Sequence, residues 1–372
     1  MKEKTHVSRY DLVTPMIPCK AEILAGVDRL LSSGAYILGE EVRALEAEMA
    51  EACGGQDAIG VASGSAALYL ALQLAGVGPG VEVITTPYTF VATIEAIIRL
   101  GGTPVLVDLD PRTLNLDPAK VEAAVTDRTR VILPVHIFGM PCDMDALRKT
   151  ADAHDLDIVE DMCQAFGSFY RGRPCGSFGR MGCLSFYPTK NLPGIGDGGL
   201  VVCRDEADGD LIRRLRGHDT VRIGGKLQAG WNSRIDEIQA LAIRVRLARF
   251  ADEQADRDRA AGIYNDLIPE AHRLPDPRPG DGVKVSYHQY WIRVPDRGRL
   301  EERLRGDDVD FGIYYDPPLH RHELAEYCRI DGELHEADRA GAEVMALPIH
   351  QALPDEVARR IGGIVREELD RG

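Results

Sequence analysis

No two of the eight cysteines form a C-x-x-C pair; Cys19, Cys53, Cys142, Cys163, Cys175, Cys183, Cys203 and Cys328 are scattered along the chain. That absence removes the spacing of a zinc site and of a disulfide framework, so no metal is expected. Long apolar runs are missing too. The charged start Met1-Lys-Glu-Lys4 is not followed by a signal-type apolar segment, and no window approaches a membrane span. The expected compartment is the cytoplasm, with reduced thiols and no membrane partner. Positive charge is the third shortage. Lys and Arg number 44 against 59 Asp and Glu, a formal charge of −15. The basic face that a nucleic acid or an anionic membrane requires is therefore not expected, while a small phosphorylated ligand in a local pocket remains compatible.

What is present fits a globular chain. Its 372 residues, 44% hydrophobic and 28% charged, are enough for one large domain and a smaller one. Apolar residues at helical spacing mark Ala21 to Leu31 and Glu40 to Cys53. Short β-like runs follow at Ala58, at Glu82 to Thr85, at Pro104 to Asp108, at Val131 to Val135 and at Asp157 to Asp161, separated by helical stretches. Strands alternating with helices predict a parallel sheet covered on both faces, with ligands at the carboxyl ends of its strands. Gly64, Phe90 and Asp161 all fall at such ends. A long helix is expected from Asn232 to about Ile268, then strands at Tyr290 to Val294 and around Gly312 to Tyr315, and a closing helix after Pro354. The expected division is a large domain over 1–250, with an N-terminal arm of about 1–20 lying over other parts of the chain, and a small α+β domain over 251–372.

Four local signals carry chemistry. The stretch Ser185-Phe-Tyr-Pro-Thr-Lys190 places one lysine among apolar residues, where lost hydration lowers an ammonium's pKa and makes the attacking amine accessible. The competing reading is a solvated surface lysine. The glycines Gly194-Ile-Gly196-Asp-Gly-Gly199 satisfy a dinucleotide fingerprint but lead into the β-rich Leu200 to Cys203 instead of a helix, so they read as a turn between extended segments. A strand ending in Ser63-Gly64-Ser65 and passing at once into a helix presents unpaired amides suited to a phosphate, or is a serine cap with no ligand. Asp161 either caps the next helix or holds a pyridinium nitrogen protonated, as an electron-sink cofactor requires.

A phosphate-binding helix start, a flat aromatic at Phe90, a carboxylate at Asp161 and a lysine at Lys190 are together what pyridoxal phosphate needs. The chain resembles the DegT/StrS family of pyridoxal-phosphate-dependent nucleotide-sugar aminotransferases over nearly its whole length. Ser63-Gly64-Ser65, Pro87-Tyr-Thr-Phe90, Glu160-Asp161-Met-Cys-Gln164, Ser185 to Asn191, Asn232-Ser-Arg234 and Leu347-Pro-Ile-His350 carry the resemblance. It implies an α/β fold of the type I pyridoxal-phosphate-dependent transferases, with a mostly parallel sheet flanked by helices and a small α+β C-terminal domain.

The same resemblance implies roles. Lys190 would form the Schiff base with the cofactor and later move the proton, and Asp161 would pair with the ring nitrogen. Phe90 would stack on the ring and Gln164 contact its hydroxyl side. Gly64, Ser65 and Ser185 would hold the phosphate, and Asn232 would reach it from the neighbouring subunit of a homodimer with shared sites. Lys226 and His320 are candidates for the diphosphate of a nucleotide sugar. The implied reaction uses an amino-acid donor, L-glutamate, gives the pyridoxamine phosphate form as intermediate, and aminates a keto-deoxysugar nucleotide at C3 or C4. Two alternatives are a pyridoxamine-dependent sugar dehydratase, whose relatives carry histidine at the lysine position, and a non-catalytic regulatory binding protein on the same fold.

Overall fold

The computed structural model describes residues 6–277 and 280–371. Strands β1 (Asp57–Val61), β2 (Glu82–Thr85), β3 (Thr103–Leu106), β4 (Thr129–Ile132) and β5 (Asp157–Asp161) alternate with helices. A short ribbon, β6 (Phe169–Tyr170) and β7 (Arg173–Pro174), precedes β8 (Met181–Ser185) and β9 (Gly199–Cys203). The hairpin β10 (Thr220–Ile223) and β11 (Lys226–Ala229) follows, then β12 (Tyr290–Arg293), β13 (Arg329–Ile330) and β14 (Val344–Leu347).

An 8-stranded sheet runs in the order β1-β9-β8-β5-β4-β2-β3-β13, and β9 alone runs against its neighbours. Alternating residues face opposite layers, as the two-residue period of a strand requires. Val83, Val131 and Val159 point into a core shared with the helix Gly64–Leu74. Ile84, Ile132 and Ile158 point the other way, onto Leu147 of the helix Met144–His154. Because both layers are covered, these strands are apolar on both faces, which is the pattern of a buried parallel sheet. The glycine-rich stretch before β9 is a connection between two extended segments, since Ser185 pairs with Gly199 across the antiparallel β8–β9 ladder.

A second core gathers around the two-stranded β12–β14 ladder. Tyr264 of the helix Phe250–Leu267 and Ile361 and Val365 of the helix Asp355–Leu369 pack on Ile292, Met345 and Leu347. The N-terminal arm joins this core: Val7 donates to Asp308 and accepts from Asp310, each at 2.9 Å.

Two sequence expectations need correction. The stretch from Asn232 is two helices, Glu237–Leu247 and Phe250–Leu267, separated at Ala248 and Arg249. Asp236 caps the first through the Gln239 amide at 2.8 Å, while Ser233 and Arg234 lie extended beside β1. Apolar spacing carries on across a short break, so periodicity alone merges the pair. Gly312 to Tyr315 is no strand either. Gly312 makes a single bridge to Ala346, and Tyr315, at φ 57, turns the chain away from β14.

Candidate active site

A cleft of about 480 Å³ opens where β1, β5 and β8 end. Gly64, Ser65 and Phe90 line it together with Asp161, Gln164, Ser185 and Lys190, so segments spread over more than a hundred residues converge on one space.

At one side of the cleft the helix Gly64–Leu74 begins. Ser63 Oγ accepts from the Ala66 amide at 3.1 Å and the Ser63 carbonyl from Ala67 at 3.0 Å. The Gly64 and Ser65 amides have no partner among the described residues, and helix-start amides of this kind attract an anion. Glycine is required here by space: a Cβ on Gly64 would lie 2.7 Å from Ser185 Cβ and 3.1 Å from Cys163 Sγ. That close approach brings the Ser185 hydroxyl beside the helix start.

Asp161 ends β5 and is 5% exposed. Its Oδ2 accepts from Thr93 Oγ1 at 2.9 Å and its Oδ1 from the Cys163 amide at 3.2 Å. Thr89 in turn bonds Thr93 at 3.0 Å, which leaves the Thr93 proton for the carboxylate. A hydroxyl and one amide do not offset the several kcal/mol that a buried carboxylate costs, so this group suits a cationic partner in the cleft. The strand beneath is held firmly. Glu160, fully buried on the opposite face, accepts from the amides of Gly176, Phe178 and Gly179 at 2.7 Å each.

Lys190 stands on the loop between β8 and β9, its amide bonded to the Tyr187 carbonyl at 2.8 Å. The residue is reachable from the cleft, yet protein surrounds the amine. Burial pulls its pKa below the usual lysine value, against the opposing charge of Asp161. The Cys163 thiol is itself pushed well up by burial and by Asp161, so it remains protonated beside the amine.

Of the further cleft residues, His288 and Gln289 carry no local sequence signal, whereas Gln164 was expected. His288 donates through Nδ1 to Asn191 Oδ1 at 3.1 Å, an orientation set by the bond from Asn191 Nδ2 to the Ser286 carbonyl. Burial, then the charges of Lys190, Arg257 and Arg9, hold its pKa well below the usual value, so the ring is neutral. Gln164 accepts from the Phe138 amide at 2.8 Å and donates to Tyr315 Oη at 2.7 Å. Gln289 donates to Tyr10 Oη at 2.6 Å, and its buried Oε1 has no partner among the described residues. Tyr10, Gln289 and Tyr315 come from the arm and the C-terminal core, so only the fold assembles them with Lys190.

Three candidates lie outside the cleft. Asn232 is exposed and accepts from Arg234 Nε at 3.0 Å. Lys226 is exposed on β11. His320 does not line the cleft; its side chain is nearly buried and its Nε2 bonds Asp338 at 2.8 Å.

A buried lysine and a buried carboxylate facing a helix start, at the carboxyl ends of a mostly parallel sheet, define a pyridoxal-phosphate-dependent transferase. The chain belongs to the DegT/DnrJ/EryC1/StrS aminotransferase family, which it matches over residues 18–366. It is 39% identical to the pleiotropic regulatory protein of Geobacillus stearothermophilus, over 94% of this chain and 95% of that one. It is 38% identical to the UDP-N-acetyl-3-dehydro-alpha-D-glucosamine 3-aminotransferase of Acidithiobacillus ferrooxidans, over 99% of this chain and 100% of that one. The crystal structure of S. venezuelae DesV in complex with a ketimine intermediate superposes with a TM-score of 0.91 at 38% identity, covering 99% of each chain. The protein is an aminotransferase, and its cofactor is pyridoxal 5′-phosphate. When bound, that group supplies a carbonyl for imine formation and a ring that takes up electrons from the substrate carbon.

Proposed function

We propose that the protein transfers an amino group from L-glutamate to the C3 carbonyl of a keto-deoxysugar nucleotide. The observation that carries this reading is the convergence of Lys190, Asp161 and the unpaired amides of Gly64 and Ser65 on one cleft. The Acidithiobacillus relative, named as a 3-aminotransferase of a UDP-linked sugar, supports the acceptor class and the position.

In this reading the Gly64 and Ser65 amides and the Ser185 hydroxyl hold the cofactor's phosphate. Asp161, anchored by Thr93, keeps the ring nitrogen protonated, and Phe90 covers the ring. Gln164 is held by the Phe138 amide and Tyr315 at the ring's hydroxyl side. Lys190 Nζ would hold the cofactor and, when freed by the donor's amine, would be the base that moves a proton between the substrate carbon and the cofactor in each half-reaction. Neutral His288 beside it adds no competing cation. Asn232, which is exposed and does not line its own cleft, completes the phosphate site of a second copy, so the working unit is a homodimer. We place it in the cytoplasm, where its eight unpaired cysteines, most of them buried, remain reduced.

The Geobacillus relative's name favours a second reading, a regulatory protein on the same fold. Lys190 in a desolvating pocket argues against it, since binding alone does not require a lowered amine pKa. The same lysine argues against a dehydratase, for which the resemblance implies histidine.

The deciding experiment mixes the protein in its pyridoxamine form with a panel of keto-sugar nucleotides. A 3-keto sugar nucleotide restores the aldehyde absorption, and ping-pong kinetics follow with L-glutamate. No restoration with any keto sugar would overturn the reading.

A further inference from the structure

One buried amide oxygen in the cleft has no hydrogen-bond partner among the described residues. It belongs to Gln289, which stands one residue before β12, is 1% exposed, and lines the cleft with Tyr10, His288, Tyr314 and Tyr315. Gln289 Nε2 donates to Tyr10 Oη at 2.6 Å, and that oxygen lies 2.6 Å from Tyr314 Oη, so the N-terminal arm fixes the side chain in place. Gln289 Oε1 is left without a donor. Buried polar atoms are unpaired elsewhere too, but among the described residues no other side chain that lines the cleft leaves one. A buried acceptor with no donor destabilises the fold, and one kept in a functional cleft marks a place where a ligand supplies the donor.

Whatever reaches Oε1 has to come through the cleft. The charged side chains that line it are Asp161, Lys190 and Asp197, and none of them bonds Gln289. A neutral acceptor takes a hydrogen bond from an N–H or O–H and gains nothing from a carboxylate, which only accepts. An amino-acid donor brings carboxylates, and its amine is engaged at the reacting carbon. A sugar brings hydroxyl and acetamido groups. His288, the residue before Gln289, bonds through Nδ1 to Asn191, the residue after Lys190, at 3.1 Å. Gln289 is thereby tied beside the reacting amine, where the carbons flanking the sugar's carbonyl come to lie. We infer that Gln289 Oε1 is a specificity-determining acceptor for a hydroxyl or acetamido N–H on a carbon next to the carbonyl that is aminated. The inference rests on the amino-transfer reading and adds to it a substituent that the sugar must carry and the residue that reads it.

The test measures equilibrium binding to the pyridoxal-form holoenzyme of UDP- and dTDP-linked glucose, 2-deoxyglucose and 4-deoxyglucose, and of UDP-N-acetylglucosamine, none of which carries a ketone to react. Within a series, wild type binds one deoxy sugar about tenfold or more weakly than glucose, because that sugar covers Oε1 without supplying a donor. Which deoxy sugar suffers identifies the carbon, and the order of UDP-glucose and UDP-N-acetylglucosamine tells a hydroxyl from an acetamido N–H. Gln289→Met keeps the length of the side chain but has no acceptor oxygen, and it brings the ratio to within about twofold of one by weakening only the hydroxyl-bearing sugar. Gln289→Glu keeps an acceptor at the same place and retains the ratio. Equal binding of glucose and both deoxy sugars by wild type, or no binding in either series, overturns the inference with no variant needed. A wild-type ratio that persists in Gln289→Met overturns it as well. Failure of the amino-transfer reading appears separately, as a pyridoxamine form whose aldehyde spectrum no keto-sugar nucleotide restores, whatever the binding ratios.

Discussion

At the scale of single residues, two groups fix the chemistry and each yields a measurable consequence. Lys190 loses hydration in its pocket, and the charge of Asp161 only partly restores its affinity for a proton. The neutral fraction of an amine grows as pH rises through its pKa. A lowered pKa brings that rise to lower pH. Cofactor-free protein should therefore capture pyridoxal phosphate at a rate that climbs with pH and levels off below 10.5, the ordinary lysine value. A lysine peptide in the same buffers gives the reference curve, and coincidence of the two curves would show that burial does not govern the amine. Asp161→Asn keeps the shape and the Thr93 contact but removes the charge that, in the proposed function, holds the ring nitrogen protonated. The expected loss in kcat/KM is on the order of a hundredfold or more, about 3 kcal/mol, with cofactor still bound. Both residues were legible because each sits in a short patterned stretch: a lysine among apolar neighbours, a carboxylate at a strand end. His288 and Gln289 were not legible. Nothing beside them in sequence distinguishes them from core residues, and they reach Lys190 only through the packing of a distant segment.

At the scale of elements, the first turn of the helix Gly64–Leu74 is the phosphate site of the proposed function, and the approach of β8 leaves no space for a side chain at its first residue. Gly64→Ala forces a shift between the helix start and Ser185, since a Cβ 2.7 Å from another carbon cannot persist. Overpacking of this kind costs about 1–3 kcal/mol, and here the strain falls on the phosphate site. Affinity for pyridoxal phosphate should drop at least tenfold, whereas affinity for unphosphorylated pyridoxal should change much less; equilibrium dialysis of the two compounds against wild type and variant reads the difference. The strand ends and this helix start were readable in the sequence because turn chemistry and apolar runs are local. The break at Ala248 and Arg249 was hidden, because apolar spacing resumes in phase after it. The isolated bridge at Gly312 was hidden for the opposite reason: an aromatic run promises a strand, and the backbone at Tyr315 decides otherwise. The return of β13 to the edge of the large sheet, two residues paired with β3, has too little sequence of its own to announce it.

At the scale of the whole molecule, large apolar side chains stand exposed at the cleft and beside it. Phe90 is 60% exposed, Tyr187 52%, Ile195 44% and Trp231 41%, and the first and last flank the cleft and the Asn232 segment respectively. Exposed aromatic and aliphatic groups so placed are consistent with the homodimer proposed above. In the proposed homodimer an intact site takes Lys190 from one chain and the partner's Asn232 from the other. Lys190→Ala removes the amine, and Asn232→Ala removes a hold on the phosphate that matters most at limiting cofactor; each variant alone is then inactive or nearly so. Dissociating and reassociating an equal mixture makes about half of the dimers mixed, and each mixed dimer has one site with both groups present out of two. About a quarter of wild-type activity should therefore return at limiting cofactor. If Lys190 and Asn232 served the same site from a single chain, every site in the mixture would still lack one of them. Mixing would then restore nothing, and sedimentation of the mixture would distinguish that outcome from a failure to exchange subunits.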